Sequence, residues 1–488
     1  MKRSTSYLAI DLGASSGRVV LGVLDGAAMR LEELHRFTTP LVEDGPHLFW
    51  DIERMWAEIR TGIARGFATG RTIRSISVDS WAVDYVPLDA SGAPVRRPYS
   101  YRDPRTVRRL ETAIRLAGGR AALYDLTGIQ FLALNTLPQV VADIEDEPEL
   151  VRRTATRLLI AEYFLYRMSG VQMAEATMAS TTQLVDVRTG AWAAALIAAI
   201  GDDLSRWPKI VPPGAALGPL LPELVPAGAS APTVLASCAH DTAAAVAAVP
   251  ATSERPWAFI SSGTWSLVGA ELSAPVLTDA ARDAGFTNEA GLAGTVRFLE
   301  NRAGMWVLEE CRREWEAAGM QTSHAALFAD AAKAAPPAAT IDLNAPEFAG
   351  RGEMPRKVGA ACVARGIEPP RSPAECTRLI LESLAESHAS ALDQLDALTG
   401  EHTEDVHIVG GGARNALLNQ LTAVRSGRRV LAGPEEATVL GNLLVQARAL
   451  GDLPAGITVR DAARSSSRVT EFTTRHTASA QSAASLSH

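Results

Sequence analysis

The stretch YLAIDLGASSGRVVLGVL (7–24) reads as a strand, a tight polar turn and a second strand. Tyr7 to Ile10 and Val19 to Leu24 are apolar, and the turn from Leu12 to Arg18 contains two glycines and two serines. It lacks the lysine of a Walker A loop and the spacing of a GxGxxG fingerprint. A turn this dense in small residues can point backbone N–H groups and hydroxyls at a phosphate, or can simply close a hairpin. Asp11, at the end of the first strand, is placed to hold a magnesium ion through water. About 250 residues later WAFISSGTWSLVGAEL (257–272) repeats the order of apolar strand, Ser-Ser-Gly-Thr turn and apolar strand. The repeat predicts two equivalent domains, each offering a hairpin to one cleft.

A chain of 488 residues is long enough for two large domains. Its 47% hydrophobic and 21% charged residues are ordinary for a soluble enzyme with sizeable cores. With 47 basic against 55 acidic residues, the net charge of −8 argues against a nucleic-acid partner or an anionic membrane surface. Arg102, Arg105, Arg108, Arg109, Arg115 and Arg120 form a local basic cluster that reads as a solvated helix face. Cys238, Cys311, Cys362 and Cys376 show neither zinc spacing nor a disulfide framework, which suits a reducing cytoplasm. Met1-Lys2-Arg3 looks like the start of a signal peptide, but Asp11 interrupts the apolar run at once. No stretch has the roughly 18 apolar residues of a membrane span, so the expectation is a cytoplasmic protein with no membrane partner.

Working outward, residues 50–68 carry Ile52, Met55, Trp56, Ile59 and Ile63 at helical spacing, with Asp51 as the cap. Residues 73–92 read as two strands around a polar bend at Asp79-Ser80-Trp81, closed by the turn Asp89-Ala90-Ser91-Gly92. Trp81 beside Asp79 and Asp84 is the mixture a sugar site uses, a ring face with carboxylates, although a strand tryptophan also serves as core. Residues 138–170 read as two helices ended by Gly170, and 174–192 as short and strand-like. Seven prolines across 208–232 mark the approach to a domain boundary just after Asp241. Beyond the second hairpin, 298–315 reads as a polar loop and a helix, and 379–398 as a helix. DVHIVGGGARNALLNQLTA (405–423) follows as strand, triple glycine and helix, then 434–451 as a further helix. The triple glycine lets backbone approach a flat ligand, or makes a tight turn. From 464 to 488 the chain is rich in Ser, Thr and Ala and reads as a disordered tail.

Just before the second hairpin, SCAHDTAAAVAAVP (237–250) sets Ala239-His240-Asp241-Thr242 at the head of an Ala/Val segment of high helix propensity. Asp241 reads either as an ordinary helix cap or as a carboxylate acting on a substrate hydroxyl, with His240 and Thr242 facing the same cleft. At a helix N-terminus its pKa is expected to fall.

Read together, AIDLGASSGRVVLG (9–22), DSWAVDYVPLDASG (79–92), YRDPRT (101–106), SCAHDTAAAV (237–246), ISSGTWSLVG (260–269), GFTNEAGLAGTVRFLEN (285–301) and IVGGGARNALLNQL (408–421) resemble the FGGY carbohydrate kinases, in the family's order, from about residue 7 to 455. DSWAVDY and NEAGLAGTVRFLEN resemble the members that act on L-rhamnulose. The resemblance implies an α/β protein of two actin-like ATPase (ribonuclease H-like) domains flanking a central cleft. It implies residues 1–241 for sugar and phosphate and 242–463 for nucleotide. ATP with Mg2+ and L-rhamnulose, phosphorylated on O1, are the implied ligands, and the chain is expected as a monomer or homodimer. Carried over, Ala14, Ser15, Ser16, Gly17 and Arg18 look like the first phosphate hairpin, Thr264 and Glu309 like nucleotide contacts, and Gly410 and Gly411 like the adenosine loop. Trp81, on the residues' own chemistry, and Ala82, His240, Asp241, Thr242 and Asn301, by resemblance, are the sugar contacts, with Asp241 the catalytic base and Asp11 the metal residue.

The sequence also departs from the pattern. Ala82 stands where glycine is often found, and Glu309 where glutamine is usual. Cys362 and Cys376 fall where relatives can carry a cysteine pair. Phosphoryl transfer asks mainly for positioning and charge neutralisation, so even a weak base at Asp241 suffices to orient O1 and accept its proton late. Domain closure would exclude water. The rival readings are an L-fuculokinase, xylulokinase or glycerol kinase, or an actin-like ATPase that polymerises or acts as a chaperone without a sugar.

Overall fold

The computed structural model describes residues 5–252 and 254–474. The chain divides into two units, one drawn from Met1–Pro250, Glu271–Leu299 and Glu436–Ser467, the other from Ala251–Ala270, Glu300–Glu435 and Arg468–His488.

In the first unit the strand Thr5–Leu12 turns through Gly13–Ser15 into Ser16–Asp25 and pairs with it antiparallel, Thr5 opposite Leu24 and Leu12 opposite Gly17. Ala28–Thr38 extends this side of the sheet. On the other side Thr5–Leu12 runs parallel to Ile73–Ser80, which runs parallel to Thr233–Ala236, and Ala215–Pro219 closes the edge. The central strand is apolar on both faces, as a strand covered on both sides must be. The helix Ile52–Ala68 lays Ile52, Met55, Trp56, Ile59 and Ile63 inward, and the Asp51 side chain accepts from Arg54 N at its start.

The second unit repeats the plan. Trp257–Ser262 pairs antiparallel with Trp265–Leu272 and parallel with Asp405–Val409, followed by the parallel strand Arg429–Ala432. The duplication legible in the two hairpins is therefore a duplication of fold. Its core gathers Val307, Leu308, Leu379, Ile380 and Leu384 around the long helix Pro373–Thr399. His388 on that helix is a core histidine between Thr422 Oγ1 (3.2 Å) and Ser266 Oγ (3.1 Å), pushed down to about 3 by burial and the Arg302 charge. All four cysteines are buried free thiols, so Cys362 and Cys376 form no bridge.

Several elements differ from the sequence reading. The two helices expected over 138–170 are three, Thr136–Asp146, Pro148–Arg153 and Ile160–Ser169, with a strand, Thr156–Leu159, before the last. That strand pairs with Tyr85–Leu88, and its apolar run passes straight into the helix, which hides the boundary. The loop expected after Phe298 is the strand Val296–Ala303, disguised by four charged or amide side chains within eight residues. Arg105 is no solvated helix residue: it pairs with Asp143 at 2.7 Å and lies 3.8 Å over the Tyr99 ring. Order also extends past 464, through the helix Val459–Ser466 and the strand Thr470–Phe472, which pairs with Arg429–Ala432. The rest of the expected tail, 475–488, lies outside the described residues. Among the described residues no helix is long and apolar enough to cross a membrane.

Candidate active site

The parallel strands of the first unit end together, and open α/β sheets bind ligands at their strands' carboxyl ends. Register sets Asp11 beside Asp79. The bond Ser80 N→Ala239 O (2.9 Å) and the parallel bridge Ser80–His240 bring in the third end. Three carboxylates, Asp11, Asp79 and Asp241, thus share one edge. Asp79 is fully buried, with Oδ2 accepting from Asn442 Nδ2 (2.6 Å) and Oδ1 lacking a donor. Burial, then the Asp11 charge, hold its pKa well above the carboxylate range.

Arg18 answers this negative charge. Its Nε donates to Asp11 Oδ2 at 2.8 Å, and its Nη1 bonds Glu436. The hairpin tip is tied by Gly13 N→Ser16 O (2.9 Å), Thr39 N→Ser15 O (3.1 Å) and Thr39 Oγ1→Gly13 O (2.7 Å). Ser15 is exposed, Ala14 and Ser16 are half-buried, and Gly17 is buried within the second strand. Among the described residues no three His, Cys, Asp or Glu side chains form a metal cage. A magnesium ion carried on phosphate fits better: Asp11 already has one cationic partner, and an orphaned carboxylate oxygen lies next to it.

Asp241 opens the short helix Asp241–Ala247 and His240 occupies the cap position, so Asp241 is the first helical residue rather than the cap. Its Oδ1 accepts from Thr242 N (2.5 Å) and Thr242 Oγ1 (3.1 Å). Its pKa moves up, not down as a helix terminus alone suggests. Partial burial raises it, the Asp11 charge adds to this, and the Thr242 bonds oppose. The loop before it is braced by Glu175, whose Oε2 accepts from Ala239 N (3.0 Å), and by Thr177 Oγ1, which accepts from His240 N (3.3 Å).

Trp81 is 6% exposed. Its indole donates to Asp84 Oδ2 (3.0 Å), which also accepts from Trp50 Nε1 (2.6 Å) and Tyr101 N (3.0 Å). Gln139 Nε2 occupies Asp84 Oδ1 at 3.0 Å. Asp84 is thus a saturated structural hub, not a hydroxyl partner, and burial raises its pKa to about 6. Ala82 is half-buried beside Val83, whose φ of 69° is an outlier for a β-branched residue, held by Thr136 Oγ1 on its carbonyl (2.7 Å).

In the second unit Gly263–Trp265 form an exposed turn that includes Thr264. The start of the helix Trp306–Ala317 ties it down through Met305 N→Gly263 O (3.0 Å) and Trp306 N→Thr264 O (3.2 Å). Gly304 lies flat on this turn: a Cβ there would fall 2.5 Å from Trp265 C and 2.7 Å from Gly263 O. In the triple glycine, Gly410 has φ 79°, Gly411 is exposed, and a Cβ on Gly412 would lie 2.0 Å from Ser262 Oγ. Glu309 pairs with Arg312 at 3.1 Å and with His324, so it does not present a bare negative charge. Asn301 lies half-buried on Val296–Ala303. The first unit therefore holds Asp11, residues 14–18, Trp81, Ala82, His240, Asp241 and Thr242, and the second holds Thr264, Asn301, Glu309, Gly410 and Gly411.

Sequence reasoning missed Glu175, Asn442 and Gly304, and also Glu289 and Arg297, which flank His240. Glu289 and Arg297 lie inside the quoted stretch 285–301, so their density of charge was a usable signal.

Residues 6–248 match the N-terminal domain of the FGGY family of carbohydrate kinases, and 258–450 match its C-terminal domain. The chain belongs to this family and is an ATP-dependent carbohydrate kinase with the two-domain, actin-like α/β fold. It is 41% identical over 468 residues to a protein named rhamnulokinase from Klebsiella pneumoniae, covering 96% of this chain and 94% of that one. Rhamnulokinases from Bacteroides thetaiotaomicron (38% identical, 92% and 91% covered) and Bacillus subtilis (38%, 96% and 95%) match likewise. Among solved structures, a ligand-bound xylulose kinase from Lactobacillus acidophilus superposes with a TM-score of 0.78 at 15% identity, covering 96% of this chain and 94% of that one. At that identity the likeness speaks for the fold.

Proposed function

We propose that this chain transfers the γ-phosphate of ATP to the C1 hydroxyl of L-rhamnulose, giving L-rhamnulose 1-phosphate and ADP in the cytoplasmic breakdown of L-rhamnose, with Asp241 as the general base. The observation that carries the catalytic reading is the state of Asp241. One oxygen is fixed by Thr242, and burial with Asp11 nearby raises the proton affinity of the carboxylate. The sugar assignment rests on relatives named rhamnulokinase at 38–41% identity over nearly the whole chain.

In this reading Asp241 accepts the O1 proton as the O–P bond forms and the bond from the γ-phosphorus to the ADP oxygen breaks. His240, Thr242, Ala82, Trp81 and Asn301 hold the ketose. The N–H groups and hydroxyls of residues 14–18, with Thr264, cradle phosphate, and Gly410 and Gly411 pass the adenosine side, with Glu309 near the nucleotide. Magnesium bound with ATP, held through water by Asp11, would supply charge neutralisation at the phosphates. ADP release measured against L-rhamnulose, L-fuculose, D-xylulose and glycerol tests the substrate. L-rhamnulose is expected to give the highest kcat/KM by at least about tenfold. Preference for another acceptor would overturn the sugar assignment, and sugar-independent turnover would overturn the kinase reading.

A further inference from the structure

His240 is held from three sides within the first unit. Its side chain is 7% exposed. Nδ1 lies 3.1 Å from Arg297 Nη2 and 3.4 Å from Glu289 Oε2, while Nε2 lies 3.4 Å from Asp241 Oδ1. Arg297 is fully buried. Its Nε donates to Ala290 O (3.0 Å), and its Nη1 pairs with Glu289 Oε2 (2.9 Å). Burial alone would raise the pKa of Glu289, yet the Arg297 guanidinium beside it holds it below the ordinary value, so Arg297 and Glu289 form a charged pair. The remaining neighbours are neutral toward the ring: Thr177 meets the His240 backbone, and Glu175 is occupied by N–H groups and the Thr177 hydroxyl.

A guanidinium donates hydrogen bonds and accepts none. An Arg297 Nη2 hydrogen bond to Nδ1 therefore needs a lone pair there, which puts the ring proton on Nε2, facing Asp241. We propose that Arg297, anchored by Glu289, is a positioning residue that fixes His240 as the neutral Nε2–H tautomer and so selects which oxygen of Asp241 meets the substrate. Oδ1 already accepts from Thr242 N and Thr242 Oγ1, and the Nε2 proton lies on its side at 3.4 Å, whereas Oδ2 accepts no hydrogen bond among the described residues. Oδ2 is then the atom that takes the hydroxyl proton. A ring turned to carry its proton on Nδ1 would put a lone pair against Oδ1 and oppose the orientation that the Thr242 bonds favour. The inference builds on the reading of Asp241 as base, but the tautomer can be measured without turnover.

The test is nitrogen NMR of the full chain labelled at the histidine ring nitrogens, with the His240 signals identified by their loss in His240→Asn. At pH 7.5 the expected result is a neutral Nε2–H ring. A neutral Nδ1–H ring or an imidazolium would overturn the proposal, whatever Asp241 does. Arg297→Lys keeps a cation beside Glu289 while losing the second nitrogen that reaches Nδ1. It is expected to lose the single tautomer and to lower kcat about 10- to 100-fold, with the KM for ATP within about twofold of wild type. A wild-type kcat and tautomer in Arg297→Lys would also overturn it. If the tautomer is as expected but Asp241→Asn turns over normally, the failure lies with the base assignment and not with Arg297.

Discussion

Gly441 lies on the helix Ala437–Ala449, against the helix that begins with Asp241. A Cβ at Gly441 would sit 1.8 Å from Ala244 O and 2.6 Å from Ala244 C. Both atoms are backbone, so no side chain can swing aside. Restoring ordinary contact requires the helices to part by about 1.5 Å, an overpacking that costs about 1–3 kcal/mol. Gly→Ala within a helix otherwise gains about 1 kcal/mol in propensity. The two effects have opposite signs, which makes Gly441→Ala informative. Packing against backbone should win, with a net loss of up to about 2 kcal/mol and a fall in melting temperature of up to a few degrees. Because Ala244 and Asp241 share one short helix, the displacement carries to the carboxylate. A shift of about 1 Å at a reacting group lowers kcat by about 10²-fold. The assay is ADP release under saturating substrates with a parallel thermal melt. Gly359→Ala is the control, since its Cβ would meet nothing closer than Pro369 Cβ at 3.8 Å and should stabilise slightly. A Gly441→Ala enzyme with wild-type kcat and a raised melting temperature would refute the reasoning.

Other consequences follow from the same geometry. Asp84→Ala strands the indole N–H groups of Trp50 and Trp81 and the Tyr101 amide, and should cost about 3–5 kcal/mol, seen as a lower denaturation midpoint with an unchanged slope. Glu162 is buried with its pKa raised to about 8, despite accepting from Leu159 N and Glu175 N. A raised carboxyl pKa stabilises the fold fully below the unfolded value near 4.5, and that contribution is lost as pH climbs through about 8. Stability, read as the melting temperature, should therefore fall from about pH 4.5 to about pH 8 and level off above, by up to about 5 kcal/mol over the whole window, and Glu162→Gln should flatten that slope. Gly304→Ala pushes the turn that carries Thr264 and should weaken ATP binding about tenfold by calorimetry. Unchanged affinity there would count against Thr264 as a nucleotide contact.

The fold was legible because its two deciding hairpins are local. Apolar runs broken by Ser and Gly declare strand, turn and strand without tertiary help, and the order of 405–423 did the same for strand, glycine turn and helix. Where an apolar strand runs on into an apolar helix, as at Leu159–Ile160, no period change marks the join. Strand Val296–Ala303 was illegible for the opposite reason, since buried ion pairs imitate the composition of a loop. At the site, residues next to a reactive group in sequence were easy to find. Arg297 acts on His240 from 57 positions away and Asn442 on Asp79 from 363, and only chain folding brings them together. The direction of the Asp241 pKa is hidden in the sequence because the helix terminus is visible there, while burial and the Asp11 charge are not.

The central claim is that Asp241 takes the proton of the sugar hydroxyl. Asp241→Asn preserves size and the Thr242 contacts while removing the base, so single-turnover phosphorylation of L-rhamnulose by this variant tests the claim directly. The account predicts a loss of at least about 10²-fold in the rate of phosphoryl transfer, with ATP and sugar binding retained. Transfer at close to the wild-type rate would contradict it.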